Sequence, residues 1–273
     1  AMAQRTLEQA CVSLARNVVR HTGHGRLALA GGVASNVKAT RLIRLLPEVE
    51  ELFVLPHMGD GGLALGAALH ATRQDEEMDA VALAGHDLAL GPSYSDDAIA
   101  RALENHGLSA PPAHDLARQT AELLAGERVV LWFQGRMEFG PRALGNRSIL
   151  GDARSARMQS VMNLKIKYRE SFRPFAPSVA EEKVADYFEL DRPSPYMLLV
   201  ADVVPERRKP RTGDERDLPL VEWVNRPRSD IPAVTHVDDS ARIQTVSAET
   251  NPRYHRILTE LEALTGYAVV VNT

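Results

Sequence analysis

The chain has 273 residues, 44% of them hydrophobic and 25% charged, proportions ordinary for a globular protein that exclude a fibrous or disordered one. Its formal net charge of -4 exerts no overall pull on nucleic acid or an anionic membrane, so recognition of an anion has to come from a local cluster. Cys11 is the single cysteine, which excludes an internal disulfide, no Cys/His spacing suggests structural zinc, and no apolar run approaches the roughly 18 residues of a membrane span, so the expected location is the cytoplasm.

The opening segment spaces Leu7, Ala10, Cys11, Leu14 and Val18 at helical intervals, and Gly23 and Gly25 break that pattern before a short strand over 26–30. After Gly31-Gly32 a second helix is expected over 33–46, closed by Pro47. A strand over 51–55 follows, and then His57-Met58-Gly59-Asp60-Gly61-Gly62 opens a third helix running to about Ala71. Alternating elements with glycines at strand-to-helix junctions indicate an α/β layer with ligand-facing turns. The periodicity fades over 73–92, which includes the acidic run Asp75-Glu76-Glu77. The expected boundary lies near 85–92, giving domains of 1–88 and 89–273.

Beyond it, helices are expected over 96–104, 113–125, 156–164 and 254–264, and strands over 129–133, 174–179, 197–203 and 242–246. The fold class is therefore α/β followed by mixed α+β. The charge-dense, proline-bounded run 205–219 reads as a mobile surface loop. The final Tyr267-Ala268-Val269-Val270-Val271-Asn272-Thr273 reads as a buried strand stopped without a turn, as though the chain were part of a longer one.

Three segments carry chemistry. Gly31-Gly32-Val33-Ala34-Ser35-Asn36 places two glycines after a strand and before a helix, where backbone N–H groups can meet a phosphate; a tight turn without a ligand is the alternative. Asp60, among Gly59, Gly61 and Gly62, is either a helix cap or a carboxylate open to a metal ion, and His57 nearby adds only a weak metal signal. The third segment, 136–173, holds nine basic side chains (Arg136, Arg142, Arg147, Arg154, Arg157, Lys165, Lys167, Arg169, Arg173) against the acids Glu138, Asp152 and Glu170, a local excess of six in an acidic protein.

Gly135, Gly140 and Gly145 compact the first part of that segment, so arginine forks can converge there on a compact oxyanion; a solvated charged face is the alternative. Lys165, Lys167 and Arg169 alternate, so a strand there would line one sheet face with three cations. His236-Val237-Asp238-Asp239-Ser240-Ala241-Arg242 offers an imidazole, carboxylates and an arginine, equally readable as acid–base machinery or as a surface turn. No Gly-x-Ser-x-Gly elbow, Walker loop or His-Glu-x-x-His occurs, which disfavours serine hydrolases, P-loop enzymes and zincins.

The runs AGGVASN, MGDGGLALGAAL, FQGRMEFGPRALGNRSIL, NLKIKYRESFRPFAPSV, THVDDSARIQTV and TGYAVVVNT, in this order, resemble the NodU/CmcH-type O-carbamoyltransferase family over essentially the whole chain. AGGVASN also looks like the nucleotide-binding turn of the universal tRNA threonylcarbamoyl-transfer protein. The resemblance implies that residues 1–88 are the final part of an actin/hexokinase-like (ASKHA) domain. There Gly31, Gly32 and Asn36 would meet ATP, and Asp60 would ligate a divalent metal, with Fe2+ a candidate, whose histidine ligands belong to a front part not in this chain. Residues 89–273 would be a YrdC-like domain that turns carbamoyl phosphate and ATP, with Mg2+, into carbamoyl adenylate. A hydroxylated small-molecule acceptor then takes the carbamoyl group in the front domain.

Within the second domain Arg136, Arg142, Lys165, Lys167, Arg169 and Arg173 would act on the phosphates, and Arg147, His236, Arg242 and Asn272 would complete the substrate pocket. The family's sequence continues beyond Thr273, so this chain alone is expected to be incomplete for acceptor transfer. No nucleic acid or membrane partner is expected, and a homodimer is an open expectation. Two other readings remain open: a non-catalytic nucleotide-binding module, and a tRNA-modifying factor, which salt-sensitive tRNA binding would distinguish.

Overall fold

The computed structural model describes residues 2–75, 88–210 and 218–273. They form two compact units: Ala1–Leu88 together with the short segments Phe139–Pro141 and Leu198–Val200, and the remainder of the chain. Among the described residues no helix is long and apolar enough to cross a membrane.

In the first unit, helix α1 (Met2–Thr22), strand β1 (Arg26–Leu29), helix α2 (Val37–Arg44), strand β2 (Glu51–Val54) and helix α3 (Leu63–Asp75) follow in order. The strands pair in parallel from Arg26↔Glu51 to Leu29↔Val54. Helix α2 packs against α1 and buries Ala15, Ile43, Leu46 and Val49, with Leu27, Leu29 and Leu52 beside them. The single helix expected over 33–46 is two elements: a 3-10 turn over Gly32–Ser35, and then α2. Asn36 divides them, because its side chain accepts the Ala39 N–H at 3.1 Å and so starts a new helix at its own position. The acidic residues Glu76 and Glu77 lie outside the described residues.

The second unit contains helices α4 (Asp96–Asn105) and α5 (Leu116–Ala125), strands β3 (Val130–Phe133) and β4 (Arg147–Asp152), the short helix α6 (Met158–Met162) and strand β5 (Ala176–Ala180). Strand β6 (Leu199–Asp202), of which Ala201 and Asp202 belong to this unit, helix α7 (Leu220–Asn225), strand β7 (Ser240–Val246), helix α8 (Pro252–Thr265) and strand β8 (Val269–Asn272) complete the chain. The six strands make one mixed sheet in the order β3-β4-β8-β5-β7-β6. Pairing is antiparallel for β3/β4, β4/β8 and β5/β8, and parallel for β5/β7. Helices α5 and α8 bury Ala121, Leu124, Ile257, Leu258 and Leu261 in one cluster with Trp132, Leu150, Val246 and Val270 of the sheet, the apolar-face packing that stabilises a helix-covered sheet.

Strand β4 was not expected from the sequence, because Gly151 and Asp152 carry low strand propensity. The glycine is required there: a Cβ on Gly151 would stand 2.9 Å from the sulfur atoms of Met158 and Met162. The strand expected through Lys165, Lys167 and Arg169 is absent, replaced by a π-helical turn over Asn163–Lys167 that ends at Tyr168 in the left-handed region, φ 49°. Buried Asn163 imposes that turn by donating to the carbonyls of Ser171 at 3.1 Å and Arg173 at 2.7 Å, which leaves 163–173 no ladder partner.

The mobile loop expected over 205–219 is contradicted where it is described. Arg207 pairs with Asp230 at 2.7 Å, Arg208 donates to the Val203 carbonyl at 2.6 Å, and the Lys209 N–H meets the Arg228 carbonyl at 2.7 Å. Residues 211–217 lie outside the described residues.

A candidate anion site in the second unit

Cross-strand partners share a sheet face. Ser178 is opposite Gln244 on one side and Val270 on the other, and Ala176 is opposite Asn272. Arg242, two residues before Gln244 on β7, projects from that same face. A polar row therefore crosses the sheet beside its apolar part. Ser178 Oγ donates to Gln244 Oε1 at 2.5 Å, and the Asn272 amide nitrogen meets Ser178 Oγ at 3.0 Å and Gln244 Oε1 at 2.9 Å. Asn272 Oδ1 is buried without a hydrogen-bond partner.

The loop that carries Arg142 lies over this row. Asn272 donates to the Ala143 carbonyl at 3.0 Å, Gln244 to the Leu144 carbonyl at 2.8 Å, and Gln134 to the Gly145 carbonyl at 2.8 Å. Gln134 also reaches Asn251, the cap of α8, at 2.8 Å. Gly145, at φ 105°, is pressed so closely on Tyr254 that a Cβ would fall 2.3 Å from the ring, so no other residue fits there.

Held in this way, Arg142 is desolvated and its charge is disfavoured, its pKa lying below the usual arginine value because of burial. Its Nε is buried without a partner. Burial, and then the charges of Arg142 and Arg169, push Arg242 down to about 10; its Nη2 faces the Met197 sulfur at 3.6 Å. Burial and Arg173 lower Arg169, against a small opposing influence of Glu170; burial and Arg169 lower Lys167. Arg169 is aimed by Asn163, whose Oδ1 accepts its Nε at 2.5 Å, and by the Phe175 ring at 4.8 Å. Like charges are thus gathered and desolvated, and among the described residues Arg142 and Arg242 have no acidic partner. An anion relieves that repulsion.

Of the residues singled out in the sequence, the structure links Arg142 and Arg169 to Arg242, and Lys167 and Arg173 to Arg169, by electrostatic influence, with Asn272 under the Arg142 loop. Arg173 stands at the rim, 57% exposed and 3.8 Å from Glu170. Arg136 and Lys165 are exposed, and no contact joins them to the cluster. The Arg147 guanidinium is committed elsewhere: it donates to the carbonyls of Gln134, Gly135 and Asn146 and stacks 3.4 Å from the Phe133 ring centroid. His236 sits in a tight turn, its N–H on the Ser240 carbonyl, and within that turn Asp238 accepts from the Ser240 N–H and hydroxyl. Gln134, Glu138, Asn163, Ser178 and Gln244 were not singled out. The signal available for Glu138 was an acid isolated among arginines, and for Asn163 an asparagine just before the lysine pair.

In the first unit the turns after β1 and β2 lie side by side, with the Gly31 N–H on the Met58 carbonyl at 2.7 Å. Gly31 takes φ 94°, and space around Gly31 and Gly32 is open. Asn36 caps α2 and exchanges hydrogen bonds with Gln4 at 2.9 and 3.1 Å. Gly61 and Gly62 are required by packing, since a Cβ on either would collide with His57. Asp60 begins the 3-10 turn Asp60–Gly62. Among the described residues no group of three or more His, Cys, Asp or Glu converges to hold a metal, and the further ligands that the family resemblance implies for Asp60 belong to a part not in this chain.

The family described as Carbamoyltransferase C-terminus matches residues 121–273, and that described as Carbamoyltransferase N-terminus matches residues 1–69. An uncharacterised protein of Synechocystis is 51% identical over 99% of this chain and 45% of its own length. Nodulation protein NolO of Bradyrhizobium diazoefficiens is 36% identical over 99% of this chain and 46% of its own. The 3'-hydroxymethylcephem-O-carbamoyltransferase of Amycolatopsis lactamdurans is 35% identical over 90% of this chain and 42% of its own. The chain spans somewhat under half the length of these relatives. With both family patterns matched in order and relatives of this kind along nearly all of it, the chain belongs to the NodU/CmcH-type carbamoyltransferase family.

Proposed function

We propose that the complete protein is an ATP-dependent O-carbamoyltransferase, with the second unit as a YrdC-like activating domain and the first as the end of an ASKHA-like transfer domain. The observation that carries this reading is the gathering of Arg142, Arg169 and Arg242, whose charges are all disfavoured by burial, that of Arg242 also by Arg142 and Arg169. Carbamoyl phosphate and the ATP triphosphate repel each other, and fixed cations that need no reorganisation are what their reaction requires.

In this reading water takes the phosphoryl group from carbamoyl phosphate and leaves carbamate. A carbamate oxygen then displaces pyrophosphate from the α-phosphorus of ATP to give carbamoyl adenylate, with Mg2+ travelling on the triphosphate. Arg142, Arg169 and Arg242 hold the transferring anions, and Lys167 and Arg173 extend the positive field toward solvent. An acceptor hydroxyl finally attacks the carbamoyl carbon and releases AMP.

The test is carbamoyl-phosphate-dependent release of phosphate and pyrophosphate from ATP by the complete protein. Arg142→Ala and Lys167→Ala are each expected to lower it, with the larger loss, about 100-fold, at Arg142. Normal turnover in both variants would remove the basis of the reading.

A further inference from the structure

Glu138 lies between β3 and β4 in the segment that carries Arg142, and the proposed function gives it no part. Its Oε1 accepts three backbone N–H groups: Leu144 at 2.8 Å, Asn146 at 2.8 Å and Arg147 at 3.1 Å. N–H groups of near-successive residues turned toward one point form a concave anion-binding nest. Here the anion in the nest is a side chain of the same segment. The Gly145 N–H goes instead to Ser148 Oγ at 3.0 Å, and the carbonyls of Ala143, Leu144, Gly145 and Asn146 accept from Asn272, Gln244, Gln134 and Arg147. Backbone polar groups from the Ala143 carbonyl to the Arg147 N–H are therefore answered within the protein. What this loop offers to a ligand is the Arg142 guanidinium, whose Nε is buried and unpaired.

We propose that Glu138 is a positioning residue: by filling the nest it fixes loop 142–147 in the one shape that presents Arg142 to the substrate phosphate. The inference rests on the reading that Arg142 binds that anion. Two properties of a carboxylate suit it to the task. Its charge strengthens all three hydrogen bonds, and it keeps the three N–H groups from capturing the substrate in a displaced, unproductive position. A glutamine retains an acceptor oxygen without the charge, and an alanine retains neither.

The test uses the complete protein with Glu138→Gln, Glu138→Ala, Arg142→Ala and the double variant Glu138→Ala/Arg142→Ala. Amide hydrogen exchange at residues 144, 146 and 147 reads the loop directly. It is expected to accelerate at least tenfold in Glu138→Ala, less in Glu138→Gln, while α5 and α8 keep their protection. The KM for carbamoyl phosphate should rise at least tenfold in Glu138→Ala and recover in part in Glu138→Gln, and the double variant should be no worse than Arg142→Ala. Should Glu138→Ala fail to fold, Glu138→Gln carries both measurements, with about threefold effects expected.

Unchanged exchange at the three amides overturns the inference. So does a double variant whose losses multiply, since Glu138 and Arg142 would then act independently. An Arg142→Ala variant with unchanged KM overturns the anion-binding reading beneath it, an outcome distinct from the other two.

Discussion

Arg207 and Arg242 are both partly buried arginines of the second unit, and their surroundings treat their charge in opposite ways. Arg207 donates to Asp230 at 2.7 Å and to the Asp186 carbonyl, and its guanidinium lies 4.1 Å from the Tyr187 ring and 5.3 Å from the Tyr267 ring. Tyr267 in turn donates to the same Asp230 oxygen at 3.0 Å. Arg242 meets a thioether and two like charges. In the first setting the protein itself completes the arginine. In the second, among the described residues, a desolvated cation has no acidic partner, an arrangement unfavourable in isolation that the phosphate of the proposed function would relieve. A local excess of basic residues is thus not itself a site; Arg147, inside the same basic segment, belongs with Arg207, because backbone carbonyls and Phe133 absorb it.

The comparison is broken most decisively at Arg242. Arg242→Met is expected to reduce carbamoyl-phosphate-dependent turnover by 100- to 1000-fold, about 3–4 kcal/mol of transition-state stabilisation. It should also raise the stability of the ligand-free protein. The sign follows from the shift: Arg242 is held at about 10 in the folded chain and is higher when unfolded, so the unfolded state binds the proton more tightly. The penalty is fully present below about 10 and falls away as pH rises from there toward the higher unfolded value. Removing the cation should therefore stabilise the folded state at neutral pH by on the order of 1–3 kcal/mol, read as a higher denaturant midpoint with an unchanged slope.

The smaller effect is at Arg207, where the opposite pattern is expected. Arg207→Ala should destabilise the fold by about 1–3 kcal/mol, because Asp230 is left part-buried without its cation, and should leave the KM for carbamoyl phosphate unchanged. A variant that kept its stability and lost substrate affinity would erase the distinction between the two arginines.

Much of this was legible in the sequence. The helix over 254–264 follows from periodicity because it buries one face, with Tyr254, Ile257, Leu258 and Leu261 inside; the first helix and the strands at 26–30 and 51–55 were also legible, although Leu14 and Val18 of the expected apolar spacing are exposed. Strand β4 and the π-helical turn over Asn163–Lys167 were not legible: Gly151 answers to two methionine sulfurs and Asn163 to carbonyls eight and ten residues away, and neither partner is local. The same limit applies to the site. The richness in arginine between 136 and 173 is visible in the sequence, but that Arg147 is answered depends on the Phe133 ring and the Gln134 and Gly135 carbonyls, which the tertiary fold places against it.

The most direct measurement is calorimetric titration of carbamoyl phosphate, with inorganic phosphate as the comparison ligand, into the complete protein and into its Arg242→Met and Arg207→Ala variants. The expected result is saturable binding by the unmodified protein and by Arg207→Ala, weakening as salt is raised, with at least a 30-fold loss of affinity in Arg242→Met. Equal affinity in all three proteins would contradict the assignment of Arg142, Arg169 and Arg242 as an anion site.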